Sequence, residues 1–258
     1  MFVILNYDLT ALAVESTGKN LISLGDKNMD GMYERTAMCI GEDAVKKLQK
    51  SHVAVFGVGG VGGYTAEVLV RSGIGEITVI DNDVVSESNL NRQIIALHST
   101  IGKKKTEVIK SRLLDINPEL KIHAYDMFFL PENSKEIDFK NFDFICDCVD
   151  TVTAKLEIIM RAKNENISII SSCGTGNKTH PEKLKITDIF STKNCPLAKV
   201  MRKELKKRNI EKLDVIASDE LINKAEKEIV RTPGSVAFVP SVAGIMIAGF
   251  VINNLIKQ

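Results

Sequence analysis

The run Gly57-Val58-Gly59-Gly60-Val61-Gly62 follows directly on an apolar stretch, His52-Val53-Ala54-Val55-Phe56. Glycines so spaced let the backbone bend sharply and approach an anion, and a helix starting just beyond them offers unpaired N–H groups and partial positive charge. Asp81 comes about 20 residues later, where a carboxylate can accept hydrogen bonds from ribose hydroxyls. This much is nucleotide chemistry, and an NAD-dependent dehydrogenase would share it; a structural turn that binds nothing is the plain alternative. The polar residues downstream narrow the choice. Asn89, Arg92 and Gln93 follow Asp81, Lys105 stands behind Gly102, and Asp150 follows Cys146-Asp147. Arg92 and Lys105 suit the charge of a triphosphate, and Asp150 suits Mg²⁺, which prefers carboxylate and phosphate oxygens. A dinucleotide needs no such set. Taken singly, each residue also has an ordinary role, since Arg and Lys are commonly solvated and an Asp after a strand often caps a helix.

These residues lie far apart in the chain and meet only if the right elements carry them. A helical pattern (Ala44, Val45, Leu48) leads into the run His52–Phe56, which reads as a buried parallel strand. After the glycine turn come a helix from Tyr64 to Arg71, stopped by Gly73, and a strand from Ile77 to Ile80. The alternation continues with a helix from Lys103 to Asp115, strands near Ile122–Tyr125 and Phe142–Cys146, a helix over Ala154–Asn164 and a strand over Ile167–Ser171. The fold class expected is α/β, a Rossmann-like, doubly wound, mainly parallel sheet with a C-terminal elaboration. Its loops then converge over one crevice at the carboxyl ends of the strands. One domain is expected over residues 29–258, with a nucleotide-binding core at about 41–172 and the elaboration at 173–258. Residues 1–28 show no clear period and read as an appended tail, or as the product of a start codon placed before the true one at Met29.

With 258 residues and a net charge of +1, the chain has room for a substantial core and no global bias toward nucleic acid; a basic face must be local. The five cysteines, Cys39, Cys146, Cys148, Cys173 and Cys195, include no Cys-x-x-Cys pair, so a reduced, cytoplasmic protein without a zinc ribbon is expected. Cys173 reads as a small core residue, with thiol acceptor chemistry as the alternative. Cys195, before Pro196 and a basic stretch, is expected to be exposed. Val236–Ile256 approaches transmembrane length, but Pro240 and Asn253-Asn254 interrupt it. A short strand followed by a buried helix is expected there, with no membrane span.

As an ordered set, Arg35, the glycine turn, Ile80-Asp81, Asn89, Asn91-Arg92-Gln93, Gly102 with Lys105, Ile116-Asn117-Pro118 and Asp147 through Asp150 resemble the ubiquitin-activating-enzyme-like adenylyltransferases. The likeness runs from Arg35 to Ile256. It implies a homodimer in which Asp81 binds ribose, Asn89, Arg92 and Lys105 contact phosphates, Asp150 supports Mg²⁺, and Arg35 reaches the neighbouring subunit's site. The residues expected to hold ATP are therefore Gly57, Gly59, Gly60, Gly62, Asp81, Asp83, Asn89 and Gln93, with Arg92, Lys105, Asp150 and Arg35 expected to act in catalysis.

Two branches of that family differ in what they activate. The sulfur-carrier branch usually has two Cys-x-x-Cys pairs for zinc, which this sequence lacks. Arg71-Ser72-Gly73-Ile74-Gly75, Gly174-Thr175-Gly176, Thr187-Asp188-Ile189, Pro196-Leu197-Ala198 and Gly234-Ser235 are instead similar to the branch that acts on threonylcarbamoyladenosine in tRNA. His180-Pro181-Glu182 and Cys195 depart from its usual pattern. The likeness implies ATP-dependent dehydration of that nucleoside through an acyl-adenylate, with adenylation of a sulfur carrier's C-terminal glycine as the alternative and a sulfur-relay protein as a further partner. A tRNA partner also accords with Lys193, Lys199, Arg202, Lys203, Lys206, Lys207, Arg208 and Lys212, although a solvated lysine-rich helix would read the same way.

Overall fold

The computed structural model describes residues 31–221 and 233–257, so the tail expected over residues 1–28 lies outside the described residues. Strands β1 (His52–Phe56), β2 (Glu76–Asp81), β3 (Lys121–Asp126), β4 (Phe144–Asp147), β5 (Ser168–Ser172), β6 (Leu184–Asp188) and β7 (Asp214–Ser218) form one sheet. Their order is β3-β2-β1-β4-β5-β7-β6, and every neighbouring pair is parallel except β6 with β7. Central β1 and β4 are apolar almost throughout, as strands covered on both faces must be. Edge strand β3 is mostly exposed and carries Lys121, His123 and Asp126, charges of the kind that discourage a further strand from pairing there.

The helices are α1 (Glu34–Ile40), α2 (Glu42–Leu48), α3 (Gly62–Arg71), α4 (Lys105–Ile116), α5 (Val152–Asn164), α6 (Pro196–Lys206) and α7 (Phe238–Leu255). Side chains alternate across each strand, so Val53, Val55, Ile77 and Val79 meet α3, α4 and α7 on one face, while Ala54, Phe56, Ile145 and Ile169 meet α5 and α6 on the other. This is the doubly wound α/β class expected from the sequence.

The C-terminal elaboration brings strands of its own, and one expectation needs correction. The stretch beyond Gly174 contains β6 and β7, which extend the main sheet; both are short, and β6 is a partly exposed edge with a lysine as its second residue, so neither presents a long apolar run. Among the described residues no strand lies between β7 and the last helix: α7 begins at Phe238 and contains Pro240 in its first turn. Proline is tolerated there because its missing N–H belongs to the helix-start donors that have no intrahelical acceptor. The helix is long and apolar enough to cross a membrane, yet Val239, Ala243, Ile247, Val251 and Leu255 are buried against α3 and the sheet. Contact with α3 is close at Gly244, where a Cβ would lie 2.3 Å from the Val61 carbonyl oxygen; the Thr65 hydroxyl donates to the Gly244 carbonyl at 3.1 Å.

Glu67, a buried carboxylate on α3, joins α3 to α4. It accepts from Arg71 Nε at 2.9 Å and from Arg112 Nε of α4 at 2.5 Å. Burial raises its pKa, but the hydrogen bonds and charges of Arg112 and Arg71 prevail and hold it below the ordinary glutamate value. A carboxylate depressed in the folded state stabilises above its unfolded pKa and loses that contribution as pH falls through the folded one. Glu67→Gln should therefore cost about 1–3 kcal/mol at pH 7. Thermal melts down an acid series should show the gap to wild type narrowing below pH 4.5, the ordinary value. A gap constant with pH would contradict this assignment.

Candidate functional site

The carboxyl ends of β1, β2 and β4 open into a cleft of about 360 Å³. The glycine turn forms its floor. Gly57 has φ +83°, and a Cβ there would lie 3.0 Å from the Cys148 carbonyl oxygen, so both conformation and space demand glycine. A Cβ on Gly60 would press on Pro240 at 3.3 Å and Arg92 at 3.5 Å. Gly57, Gly59 and Gly60 line the cleft, but Gly62 does not. A Cβ on Gly62 would sit 1.8 Å from the Gly57 carbonyl oxygen, so this glycine lets α3 start directly beneath the turn.

Asp81 organises the turn as well as facing the cleft. One carboxylate oxygen accepts from the Val58 N–H at 2.8 Å and the other from the Asp83 N–H at 2.9 Å. A carboxylate has about four lone-pair sites, so both oxygens retain capacity for a ligand. Asp83 in turn accepts from Lys105 Nζ at 2.7 Å; that lysine is 5% exposed, whereas the Asp83 side chain is mostly open. Lys105 therefore reaches the cleft already partly neutralised, and Asp83 takes one of its three N–H donors.

Asn89, Arg92 and Gln93 arrive on the segment after β2. Asn89 Oδ1 accepts from the Ser86 N–H at 3.1 Å, which closes the turn that presents Arg92. Arg92 Nη1 donates to the Ser88 carbonyl at 2.8 Å and to Asn91 Oδ1 at 2.9 Å. Asn91 Nδ2 donates at 2.9 Å to the Ser235 carbonyl, fastening the segment before α7 to the rim; Ser235 and Pro240 both line the cleft. Gln93 is buried, and its Oε1 has no hydrogen-bond partner among the described residues. A buried acceptor left unpaired calls for a donor from a ligand or from water. Asp150 sits on the opposite lip, exposed, with only a 3.5 Å contact from the Thr151 hydroxyl. Of the twelve residues expected to act here, ten line this cleft; besides Gly62, the exception is Arg35, which lies exposed on α1.

Two features had no clear sequence signal. Met127, Phe128 and Phe129 after β3 give the cleft an apolar wall. Beneath the 148–151 loop, Asp147 and Lys155 are fully buried: Lys155 Nζ lies 3.0 Å from Asp147 Oδ2 and 3.1 Å from Ser171 Oγ, which itself donates to Asp147 at 2.6 Å. The remaining Asp147 oxygen accepts from the Val149 N–H at 3.3 Å, so this buried group holds the loop that carries Asp150. The alternating pattern marked the strand end, but nothing local paired Asp147 with Lys155.

Cysteine exposure also needs correction. Cys195 is buried, because as the N-cap of α6 its side chain turns back over the first turn and accepts from the Ala198 N–H at 3.5 Å. Its thiol pKa is lowered, chiefly by a hydrogen bond from Cys173, against the opposing effect of burial. Cys173 moves the other way for the same reason, reinforced by burial.

The ThiF family matches residues 33–258. The tRNA threonylcarbamoyladenosine dehydratase of Bacillus subtilis (strain 168) is 39% identical over 241 residues, spanning 88% of this chain and 95% of its own length. The crystal structure of E. coli tRNA N6-threonylcarbamoyladenosine dehydratase, TcdA, in complex with AMP aligns with a TM-score of 0.80 at 30% identity, over 86% of this chain and 93% of that one. The same enzyme in complex with ATP aligns with a TM-score of 0.79 at 29% identity, over 88% and 94%.

Proposed function

The chain belongs to the ThiF family, and from that membership we propose that it is an ATP-dependent enzyme that dehydrates threonylcarbamoyladenosine in tRNA. The observation that carries this reading is the meeting of the glycine turn, Asp81, Arg92, Lys105 and Asp150 in one cleft. Ribose hydroxyls would donate to the free lone pairs of Asp81, and the orphan Gln93 Oε1 would take a donor from the nucleotide. The base would lie toward Met127–Phe129, with the triphosphate over the glycines between Arg92 and Lys105.

The threonyl carboxylate attacks the α-phosphorus of ATP, a bond forms between carboxylate oxygen and phosphorus, and pyrophosphate leaves with the bonding pair. The carbamoyl group of the same side chain then closes a ring on the activated carbonyl, losing a proton as AMP departs. Atoms balance as ATP converted to AMP and pyrophosphate, with one water's elements removed from the nucleoside. No enzyme nucleophile is required, and holding both reacting groups in one oriented side chain supplies part of the roughly 7–11 kcal/mol available to well-placed intramolecular reactions. Arg92 and Lys105 stabilise charge that builds on the phosphates, where preorganised donors have their largest effect. Asp150 fits Mg²⁺, being a hard, scarcely engaged carboxylate at the phosphate end of the cleft. When bound, the ion would neutralise phosphate charge.

Arg35 stands outside its own chain's cleft, which accords with service to a second subunit in a homodimer. For tRNA, α6 and the residues just before it present exposed Lys193, Lys199, Lys203 and Lys206, whereas Lys207 and Arg208 pair with Glu204. The absent Cys-x-x-Cys pairs weigh against a sulfur-carrier acceptor.

Incubation of the full chain with ATP, Mg²⁺ and tRNA bearing threonylcarbamoyladenosine should lower that nucleoside's mass by one water, with AMP formed in equal amount. ATP turnover with an unchanged nucleoside mass would rule the reading out.

A further inference from the structure

The nucleotide cleft occupies the carboxyl ends of the strands. Toward their amino ends lies a second polar cluster that adenylation does not use. His52 opens β1, Glu76 opens β2, and His123 is in the first half of β3. Strand register brings them together: His52 pairs with Glu76 across β1 and β2, and Thr78 pairs with His123 across β2 and β3. Because side chains alternate along strands, all three project from the same face of the sheet.

Their ligating atoms converge. His52 Nδ1 lies 3.5 Å from Glu76 Oε1, and His123 Nε2 lies 3.0 Å from the same oxygen. One donor atom from each residue falls within 4.8 Å of the others. Around a tetrahedral zinc with bonds of roughly 2.0–2.2 Å, neighbouring ligand atoms stand roughly 3.3–3.6 Å apart; both distances to Glu76 are near that spacing, and the two histidine nitrogens lie within 4.8 Å of each other. His52 is also oriented as metal-bound imidazoles usually are. Its other nitrogen, Nε2, lies 2.8 Å from Thr78 Oγ1, and Phe142 meets the ring edge-on at 4.9 Å. With Nε2 protonated toward the threonine, the Nδ1 lone pair faces Glu76, the outer-shell arrangement that fixes a ligating histidine's tautomer.

The cluster opens into a groove of about 410 Å³, giving a path for an ion and for a water as fourth ligand. Lys50 lines that groove and Lys121 acts on Glu76, and these cations are opposed by Asp138 and Asp143 on the facing wall. Asp143 is already engaged, accepting from the His52 N–H at 2.7 Å.

We propose that His52, Glu76 and His123 form a binding site for a divalent transition-metal ion of the zinc class, with Nδ1, Oε1 and Nε2 as ligands and Thr78 as the residue that orients His52. A two-histidine, one-carboxylate set suits that class of ion. The ion would tie together the three strands at one side of the sheet, in a region remote from ATP.

The test uses the full chain, stripped of metal by a chelator and titrated with Co²⁺ without nucleotide. One ion per chain should bind, with a d–d spectrum lacking a thiolate charge-transfer band. His123→Ala and Glu76→Gln should abolish binding. Thr78→Val, which keeps the side-chain shape and removes the outer-shell oxygen, should weaken it about 10- to 100-fold. Folding of each variant is checked by its melt, and ATP turnover of the wild type reports independently on the other site. Absence of binding, a thiolate band, or binding unchanged in both ligand variants would overturn the proposal.

Discussion

Arg92→Ala should lower the rate of AMP formation about 10²–10³-fold, the usual consequence of removing one preorganised donor from a site of developing charge. The guanidinium is held in place before any ligand arrives: its Nη1 donates to the Ser88 carbonyl and Asn91 Oδ1, and Asn91 is anchored to Ser235. That leaves the rest of a five-donor fork to meet phosphate oxygens. Arg92→Lys should restore only part of the rate, since an ammonium keeps the charge and loses the planar fork. Arg92 is partly exposed on a surface turn, so the melting temperature should hardly move. Asp150→Ala makes a companion measurement. Its loss should raise the Mg²⁺ concentration needed for half-maximal rate, whereas Arg92→Ala should depress the rate at every Mg²⁺ concentration. Pyrophosphate release followed across a Mg²⁺ series separates the two, and full activity in either variant would refute the site assignment.

The second large effect is on stability. Lys155→Met should destabilise the fold by about 3–5 kcal/mol, because it leaves the Asp147 carboxylate buried without its counter-charge. For a domain of this size, that is a fall in melting temperature of roughly 6–20 °C. Ser171 and the Val149 N–H would still donate to Asp147, which is why the loss should stay short of global unfolding. Asp147→Leu combined with Lys155→Met should recover most of the loss, since an apolar pair of similar volume avoids desolvating two charges. A single-variant loss below about 1 kcal/mol would mean that water reaches the pair after all. The same variants bear on function: the group anchors the 148–151 loop, so Lys155→Met should also weaken ATP binding even where the protein remains folded.

Much of the candidate nucleotide site is legible in the chain because its signals are local. An apolar strand, a glycine turn and a helix start are contiguous, and within that unit Gly57 takes a positive φ and Gly62 is required by the Gly57 carbonyl. Asp81, Asn89, Arg92, Lys105 and Asp150 were recognisable for a related reason: each follows the carboxyl end of a strand or opens the next helix, and a doubly wound sheet sends all those loops to one crevice.

What escaped the sequence depends on which distant segments become neighbours. Short β6 and β7 gain their stability from joining the edge of a sheet, and five residues apiece carry too little pattern to announce that. In the chain alone Pro240 reads as a break, because its place in a helix's first turn follows from how α7 docks on α3. Cys195 turned inward because capping α6 and meeting Cys173 outweighed its polar surroundings in the chain. Residue types and local periods thus determined the strand–turn–helix alternation and the contents of the cleft. Only tertiary structure decided that Asp147 would share its burial with Lys155 and Ser171, or that His52, Glu76 and His123 would converge, because strand register and helix docking set those distances and neither is encoded within one segment.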